Sequence, residues 1–313
     1  MALLLGAFAA APARADDYPS KPVKLIVTTP PGGLVDILGR LLAQALGPRL
    51  GQTVIVENRS GATTQLGAEV VVHAPPDGYT LLIGTSELTM LPALKRHVPY
   101  DLLRDFTPVA LVASSWTVFA INPKLPPRTL PEFIAYAKAH PGQIHYGSNG
   151  VGGSLHIAVE LLQMQAGVKL VHIPYRGGAQ AAADAMAGQI EMVSMGLAST
   201  RGTEGRLRFL AQTGPNRHPM LPDVPTTAEL GLPDVRMETW FGVIGPRGLP
   251  QPVVAALAGA IEPVLRDDGF RKKLFDIGCQ TAWKSPHDFA TFIGEESRKW
   301  AKIIPAIGLA PED

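Results

Sequence analysis

The 313-residue chain has 46% hydrophobic and 18% charged residues, a composition typical of a folded globular protein. Its formal net charge is only +1, because 28 Lys and Arg residues stand against 27 Asp and Glu residues. Proteins that bind nucleic acids need clustered excess positive charge, so that class is disfavoured. Cys279 is the single cysteine, which excludes a disulfide within the chain.

The first fifteen residues are predicted to be a signal peptide. An apolar run over 2–10 precedes Ala13-Arg14-Ala15, a small-x-small pattern that places cleavage before Asp16. The run is too short to span a bilayer. A positively charged start is missing, which leaves a longer leader open. The expected location is the periplasm of a Gram-negative bacterium, where a low cysteine content fits.

The next motif in the chain is TPPGGLVD at 29–36, between an apolar run at 23–27 and an amphipathic repeat. This order predicts a strand, a glycine turn and a helix. Gly32 and Gly33 allow a tight turn and leave the first N–H groups of the helix free for a ligand. Such a helix start favours anions. The alternative is a plain βα connection that needed a flexible turn.

The same pattern recurs twice. A strand-like run at 53–58 is followed by RSGATTQLGAE, and one at 144–148 is followed by NGVGGSLHIAVELL. These loops lack the GK[ST] ending of a P-loop and miss the spacing of a dinucleotide fingerprint. The first and third loops contain no Lys or Arg, so backbone N–H groups would recognise the ligand. Small carboxylates therefore suit these loops better than phosphates.

Helix ends later in the chain are predicted from capping residues and prolines. Ser154 is expected to cap a helix that begins at Leu155, and Gly188 to end a helix at 179–187. Pro263 is expected to kink or end the helical run at 253–265. Ser285 is expected to cap the last helix. Its stripe is predicted to be core packing and consists of Phe289, Phe292, Ile293, Trp300 and Ile304.

Strand-like runs alternate with helical patterns, which predicts an α/β protein with mainly parallel sheets flanked by helices. The runs lie at 23–28, 53–58, 80–85, 144–148, 170–175, 190–195 and 207–212. Two longer runs, at 115–123 and 237–246, are expected to cross between two lobes. The predicted lobes are 16–118 together with 240–313, and 119–239, with a ligand cleft at the hinge.

Catalytic and metal-binding residues form no recognisable motif. The eight histidines lack HxxxH and HExxH spacing, and no GxSxG elbow is present. Cys279 is expected to be a buried small apolar residue. His156, just after the third loop, is either a ligand contact or a helix-surface residue. The sequence therefore predicts a non-enzymatic protein with no metal and no cofactor, while a triad assembled in space stays open.

Longer motifs in unbroken order carry a family resemblance over about residues 18–308. They are YPSKPVKLIV, PPGG followed by Asp36, GQTVIVENRSGA, APPDGYTLLIGT, PYDLLRDFTPVALVA, HIPYRG, LPDVPTTAELGL and ETWFGVIGP. Together they resemble the solute-binding proteins of tripartite tricarboxylate transporters, also called Bug receptors. The resemblance implies a two-lobed periplasmic-binding-protein fold of the Venus-flytrap kind, which closes on a small carboxylate and presents it to a membrane permease.

The resemblance also indicates binding residues. Members of this family hold one ligand carboxylate through the first βα loop and other ligand groups through loops of the second lobe. Mapped onto this chain, the candidates are Thr29, Pro31, Gly32, Gly33, Val35, Asp36, Ala62, Thr63, Thr64, Gly67, Thr85, Ser86, Ser148, Asn149, Gly150, Gly152, Gly153, Ser154, His156 and Tyr175.

Two departures from the family pattern bear on the ligand. Met195 or Gly196 replaces the acidic residue that commonly follows this strand, so an amino-acid solute would lose the partner of its ammonium group. Thr28 or Thr29 stands where an aromatic residue is common, which favours a more polar solute. Arg176 is expected either to add positive potential near the cleft mouth or to be a solvated surface residue.

The hypothesis from sequence is a monomeric periplasmic protein that captures a small carboxylate or dicarboxylate and delivers it to a tripartite tricarboxylate-type permease. Lobe closure would exclude water and strengthen charge-assisted hydrogen bonds from backbone N–H groups. Two alternatives stay open: a solute sensor that signals to a membrane kinase, and an enzyme acting on a carboxylate in the cleft. The missing nucleophile and base disfavour the enzyme.

Overall fold

The computed structural model describes residues 18–61, 64–175 and 177–311. The predicted signal peptide, the candidates Ala62 and Thr63, and Arg176 lie outside these residues. The strands are β1 (Val23–Val27), β2 (Val54–Asn58), β3 (Thr80–Thr85), β4 (Phe106–Ile121), β5 (His145–Ser148), β6 (Val171–Pro174), β7 (Met192–Gly196), β8 (Arg208–Gln212), β9 (Glu238–Pro246) and β10 (Gln280–Lys284). The α-helices are α1 (Leu34–Leu50), α2 (Gln65–Val72), α3 (Glu87–Leu94), α4 (Leu130–Ala139), α5 (Ser154–Ala166), α6 (Gly178–Ala187), α7 (Gln251–Arg266), α8 (Asp268–Asp276) and α9 (Pro286–Ala306).

The strand pairing confirms the expected α/β class. The strands are hydrogen-bonded in the order β2-β1-β3-β9-β4-β7-β5-β6, and β8 and β10 each pair with β4. β1 is parallel to β2 and β3, and β5 is parallel to β6 and β7. β9 and β4 run antiparallel to the strands beside them. Two sets of parallel strands, β1–β3 and β5–β7, therefore stand on either side of β9 and β4.

β4 is common to both sets. Residues 106–116 pair with β9, and residues 117–121 pair with β7. The strand expected at 115–123 lacks the first half of β4. Pro108 interrupts the apolar run there, and the pairing shifts register between Pro108 and Ala110. Such an irregularity accommodates a residue that cannot donate a ladder hydrogen bond.

β10 was not predicted at all. It pairs antiparallel with β4, and each of its residues is half-buried. It therefore shows neither an apolar run nor an alternation of buried and exposed positions, the two signals that reveal strands. Cys279, directly before β10, is a buried free thiol, as predicted, and burial raises its pKa to about 12.

The helix caps follow the predicted residues at two helix ends. Gly188 ends α6 in the left-handed conformation, and the Ser285 side chain accepts a hydrogen bond from the Asp288 N–H at the start of α9. The prediction for Ser154 is wrong. Gly153 holds the cap position of α5, and Ser154 is already the first helical residue.

α7 continues through Pro263 to Arg266, so of the two expected effects of Pro263 the early end is wrong, and the kink stays a prediction. A proline inside a helix costs about 3 kcal/mol. The same turns of α7 bury Ile261, Val264 and Leu265. Burying three aliphatic side chains contributes roughly 5–9 kcal/mol, which outweighs the cost of the proline.

α9 packs against both sets of strands. Its first half buries Phe289 and Ile293 in a cluster with β3 and β9, and its second half buries Trp300 and Ile304 in a cluster with α4 and β5. The stripe is core packing, as predicted, with Phe292 partly buried. No helix in the described ranges, α9 included, is long and apolar enough to cross a membrane. The division of the chain into two lobes stays a prediction.

Candidate functional site

The carboxyl ends of the two parallel strand sets point at each other along β4. Thr85, the end of β3, is level through β9 with Ala113 of β4. Gly147, near the end of β5, is level through β7 with Ala120. Ala113 and Ala120 lie roughly 20 Å apart along β4, at about 3.3 Å per residue. β3 runs in the direction in which the residue numbers of β4 increase, and β5 runs in the opposite direction, so the two strand ends face each other. The loops that follow both strand sets therefore enter the same space.

The first loop makes its turn at Gly32, where φ is +84°. Gly33 is extended, with φ −71° and ψ 160°, and caps α1. The Gly33 N–H donates to the Pro30 carbonyl at 3.1 Å, and the Ile37 N–H donates to the Gly33 carbonyl at 3.0 Å. The N–H groups at 34–36 have no acceptor within the helix, which leaves its positive end at this edge of the sheet.

The Asp36 carboxylate holds this loop in place through hydrogen bonds. Its side chain is buried, and its Oδ2 accepts hydrogen bonds from the Gly32 N–H at 2.9 Å and from Arg40 Nε at 3.0 Å. Its Oδ1 accepts from Asn58 Nδ2 at 2.8 Å, and Asn58 also donates to the Thr29 carbonyl. The hydrogen bond from Arg40, with those from Gly32 and Asn58, outweighs burial and lowers the pKa of Asp36 to about 2. Both carboxylate oxygens are thus engaged by the protein.

The third loop repeats the backbone of the first. Gly152 has φ +72°, and Gly153 is extended, with φ −70° and ψ 158°, and caps α5. The Gly153 N–H donates to the Gly150 carbonyl at 3.3 Å, and the Ile157 N–H donates to the Gly153 carbonyl at 3.0 Å. A second positive helix end therefore lies opposite the first.

His156 occupies the position in the third loop that Asp36 occupies in the first. Its side chain is only 3% exposed, and its Nδ1 accepts a hydrogen bond from the Gly152 N–H at 3.0 Å. Its Nε2 lies 3.5 Å from Oε1 of Glu160, one helical turn later, as Arg40 follows Asp36. The interpretation of His156 as a helix-surface residue is therefore wrong.

A polar cluster surrounds His156. The ring stacks on His172 of β6, with ring centroids 4.0 Å apart, and His172 Nε2 lies 2.7 Å from Ser148 Oγ. Glu160 Oε1 accepts from the Tyr146 hydroxyl at 2.5 Å. Burial raises the pKa of Glu160, but hydrogen bonds from His156 and Tyr146 prevail and lower it. Burial, with a smaller effect of His156, lowers the pKa of His172 to about 4.

The second loop comes close to the first at Gly67. A Cβ there would lie 2.8 Å from Thr28 Cγ2 and 3.0 Å from the Arg59 carbonyl oxygen, so only glycine fits. Thr64 caps α2 with φ +78°, a conformation that β-branched residues rarely adopt. Among the described residues, the Oγ1 atoms of Thr28 and Thr29 are buried without a hydrogen-bond partner. These hydroxyls, together with the start of α1, give this loop pair unused donors.

Thr85 and Ser86 follow β3 and use their hydroxyls within the protein. Thr85 Oγ1 donates to Glu87 Oε2 at 2.6 Å. Ser86 Oγ accepts from the Trp240 N–H at 2.8 Å and so links the β3–α3 turn to β9. Both hydroxyls are thus engaged within the protein at the end of β3.

Other candidates of the second strand set also have partners in the protein. Asn149 Oδ1 accepts from the Leu155 N–H at 3.3 Å, and the Gly150 N–H donates to Ser148 Oγ at 3.2 Å. The Tyr175 hydroxyl donates to Asp184 Oδ2 at 2.8 Å. Burial, together with this bond, raises the pKa of Tyr175 to about 12. These contacts shape the third loop and its neighbour.

The two positions that lack the family's acidic residue differ in their surroundings. Met195 is buried in a cluster with Trp116 and Ala181, whereas a Cβ on Gly196 would meet no atom within 4 Å. Gly196 also begins a short 3-10 helix at Leu197–Thr200. Neither Met195 nor Gly196 supplies a charged side chain.

A groove of about 830 Å³ lies elsewhere, between α1 and β2, and is lined mainly by Ala43, Gln44, Gly47, Gln52 and Thr53. It is open to solvent, and its lining includes Arg40 but none of the glycine-loop residues. In the described part of the chain, no group of three His, Cys, Asp or Glu residues is arranged to hold a metal ion. The loops at the facing strand ends are therefore the candidate site.

Comparison with known proteins shows the family of the chain. Residues 38–309 match the family described as tripartite tricarboxylate transporter family receptor. The chain belongs to this family. The receptor is 34% identical to Protein BugT of Bordetella pertussis over 303 residues, which cover 96% of this chain and 93% of BugT. The expectation of a Bug receptor from sequence is confirmed.

Two similar solved structures hold carboxylates. The structure titled R. palustris Rpa4515 with adipate is 32% identical, with a TM-score of 0.86, and covers 95% of this receptor and 100% of that chain. The structure of MatC (Rpa3494) from Rhodopseudomonas palustris with bound malate is 30% identical, with a TM-score of 0.80, covering 92% and 100%. The family comprises transport receptors, which confirms the prediction of a binding protein rather than an enzyme.

Several residues of the site were missed in the sequence. Asn58 ends β2 and holds both Asp36 and the first loop, while Glu160 and His172 flank His156. The spacing of four residues between His156 and Glu160 is a signal that could have been used, because such pairs lie on one helix face. The partners on neighbouring strands could not have been found, since no local pattern reports strand register.

Proposed function

We propose that the receptor captures a small carboxylate or dicarboxylate between its first and third loops and delivers it, in the periplasm, to a permease of the tripartite tricarboxylate type. The observation that carries this proposal is the pair of facing helix starts with the same glycine geometry. A helix start stabilises an anion through free N–H groups and the helix dipole. Two of them suit a solute with a carboxylate at each end.

Within this proposal the candidate residues take two roles. The N–H groups at 34–36 and at 154 and the hydroxyls of Thr28 and Thr29 would contact the solute. Asp36 and His156 would hold the loops in shape, since their acceptor atoms are engaged by Gly32 and Gly152. The predicted lobes, 16–118 with 240–313 and 119–239, would close on the solute as a monomer. The lack of an acid at Met195 and Gly196 supports a solute without an ammonium group.

Isothermal titration with adipate, malate and the monoamide of each tests the proposal. The diacids should bind, and the monoamides should bind at least tenfold more weakly. An amide is neutral, and its N–H group would face the N–H donors of the helix starts, where an acceptor is needed. The affinity should fall as the pH drops through the carboxyl pKa of the ligand, near about 4–5. Equal affinity for acid and amide would show that the site does not act through anion capture.

Two further measurements address the finer parts of the proposal. Fractionation of cells that express the full chain should place the mature protein in the periplasmic fraction. Light scattering during gel filtration should give the mass of one chain, with and without adipate. A stable dimer would contradict the proposed monomer and leave the anion site as a separate question.

A further inference from the structure

The hydrogen bond from the Gly152 N–H to His156 Nδ1 gives the third loop a dependence on protonation. We infer that His156 is a positioning residue: its neutral imidazole holds the third loop in the solute-accepting shape, and its protonation releases the loop and weakens solute binding. The effect on the solute rests on the proposed function. The effect on the loop does not.

The chemistry of imidazole supports this inference. A neutral ring has one accepting nitrogen, and in His156 that nitrogen is Nδ1, because the Gly152 N–H donates to it. In the protonated ring both nitrogens carry hydrogen, so two donors would face each other at 3.0 Å. The bond is then lost. Its loss leaves a buried N–H without a partner, which destabilises the loop conformation.

Bonds from Asn149 and Ser148 also shape this loop, but the bond at Gly152 is the one whose acceptor is lost on protonation of His156. Gly152 lies in the left-handed region, and a Cβ there would be 3.1 Å from Leu94 Cδ1 of α3, so the turn is held close against the neighbouring helix. The Gly153 N–H makes a 3.3 Å bond to the Gly150 carbonyl, near the upper limit for an N–H donor. The His156 bond is the shorter of these two contacts.

Three titratable groups face His156. Glu160 on α5 lies beside Nε2, while the Gly152 N–H donates to Nδ1. His172 on β6 stacks on the ring and Tyr146 on β5 lies behind it, with centroids at 4.0 and 6.3 Å. The pKa of His172, lowered to about 4, keeps His172 neutral in mild acid. An unperturbed imidazole changes charge between about pH 5 and 8.

The first loop supplies an internal control. The Gly32 N–H donates to the Asp36 carboxylate, whose pKa is lowered to about 2. This acceptor therefore persists throughout the window in which imidazoles titrate. Acidification from pH 7.5 to 5.0 should loosen the third loop and leave the first loop unchanged.

Amide hydrogen exchange on the unliganded protein tests the loop itself. His156→Asn places Oδ1 where Nδ1 lies and keeps an acceptor that cannot be protonated, whereas His156→Gln reaches toward Glu160 and gives up the acceptor. After correction for intrinsic rates, peptides over 149–157 of the wild type should lose at least tenfold protection between pH 7.5 and 5.0. The Asn variant should stay protected at both values. The Gln variant should be unprotected at both.

Peptides over 30–37 should keep their protection in every variant, and His287→Asn, an exposed histidine, serves as a matched surface control. Identical pH responses of the wild type and the Asn variant over 149–157 would overturn the inference. So would a loss of protection in both loops together, since that reports general loosening. A response in the wild type that disappears in the Asn variant supports it.

Titration with adipate at pH 7.5 and 5.0 tests the effect on the solute. The ratio of wild-type to Asn-variant affinity cancels the ionisation of adipate, and this ratio should fall at least fivefold at pH 5.0. A constant ratio overturns the link to solute binding. If adipate and malate bind to no form of the protein, the proposed function fails, and the exchange experiment still decides whether His156 controls the loop.

Discussion

The first and third loops have the same backbone and differ in the group that locks it. In each, a left-handed glycine is followed by an extended glycine that caps a helix, and a side chain four residues later accepts the N–H of the first glycine. The lock is a carboxylate paired with Arg40 in one loop and an imidazole beside Glu160 in the other. The glycines thus specify the backbone geometry of each loop. The accepting side chain, Asp36 or His156, determines the pH range in which that geometry persists.

The two accepting side chains, Asp36 and His156, also differ in their charge and in the charge of the group beside them. Asp36 is charged and held by a cation whose side chain is more than half exposed, so the first lock keeps its acceptor in ordinary solution. His156 must stay neutral to accept, although an anion lies beside it. If the two loops hold opposite ends of the solute, as proposed, the hold on one end would change with protonation while the hold on the other end would not.

The largest effect is expected when the permanent lock is removed. Asp36→Ala leaves Gly32 and Asn58 without their acceptor and should destabilise the protein by about 3 kcal/mol, since hydrogen bonds to charged groups contribute about 1.5–3 kcal/mol each. Urea unfolding measures the change. Asp36→Asn, which keeps one acceptor oxygen, should lose less. Equal losses in both variants would show that the charge, and not the acceptor, holds the loop.

A smaller effect is expected from a side chain at the turn. Gly152→Ala forces a residue with a Cβ into the left-handed backbone region, which costs about 1–2 kcal/mol. The new Cβ would also lie 3.1 Å from Leu94 Cδ1. Adipate titration should show a large loss of affinity. The matched control is Gly142→Ala, which has φ +70° but open space around it and lies in a turn away from the site. Equal affinity losses in the two variants would rule out a role for the third loop.

Stability should also depend on pH through His172 and His218. Burial lowers both pKa values to about 4 in the folded protein, against 6.5 for an ordinary histidine. Between pH 6.5 and 4 the unfolded chain therefore binds more protons than the folded protein. The melting temperature should fall by a few degrees as the pH is lowered from 6.5 to 4. His172→Gln, which keeps a nitrogen near Ser148, should flatten part of this fall. An unchanged slope would contradict the assignment.

The smallest effect is expected at Arg40. Its side chain is 54% exposed, and exposed ion pairs contribute little to stability. Arg40→Met should therefore lower the free energy of unfolding much less than Asp36→Ala does at neutral pH. It should raise the pKa of Asp36, which carbon-13 NMR of the carboxyl group can follow. A loss as large as that of Asp36→Ala would mean that the cation, rather than Gly32 and Asn58, keeps the carboxylate in place.

The sequence predicted the parts of this structure that local chemistry specifies. Alternating apolar runs located β1, β3 and β9 closely, and capping residues located the ends of α6 and α9. The prediction for Ser154 failed because the residue before it can also cap a helix. Gly153 adopts the extended conformation of a cap residue, so the helix begins at Ser154. β4 and β10 were misjudged because their pairing, not their pattern, makes them strands.

The site was predictable as a set of loops but not as a set of contacts. Paired glycines revealed where the backbone would turn and where a helix would begin. The roles of Asn58 and His172 depend on parallel neighbours that bring distant parts of the chain together. Sequence spacing contains no information on that register. The orphan hydroxyls of Thr28 and Thr29 likewise appear only when the surrounding atoms are in place.

The two-sided packing of α9 has a consequence for how the chain matures. Ribosomes and export channels release a protein from its N-terminal side, and segments generally fold as they become available. The cluster built from α4, α5 and β5 lacks Trp300 and Ile304 until almost the whole chain has emerged. The middle third of the protein therefore stays incompletely packed during synthesis.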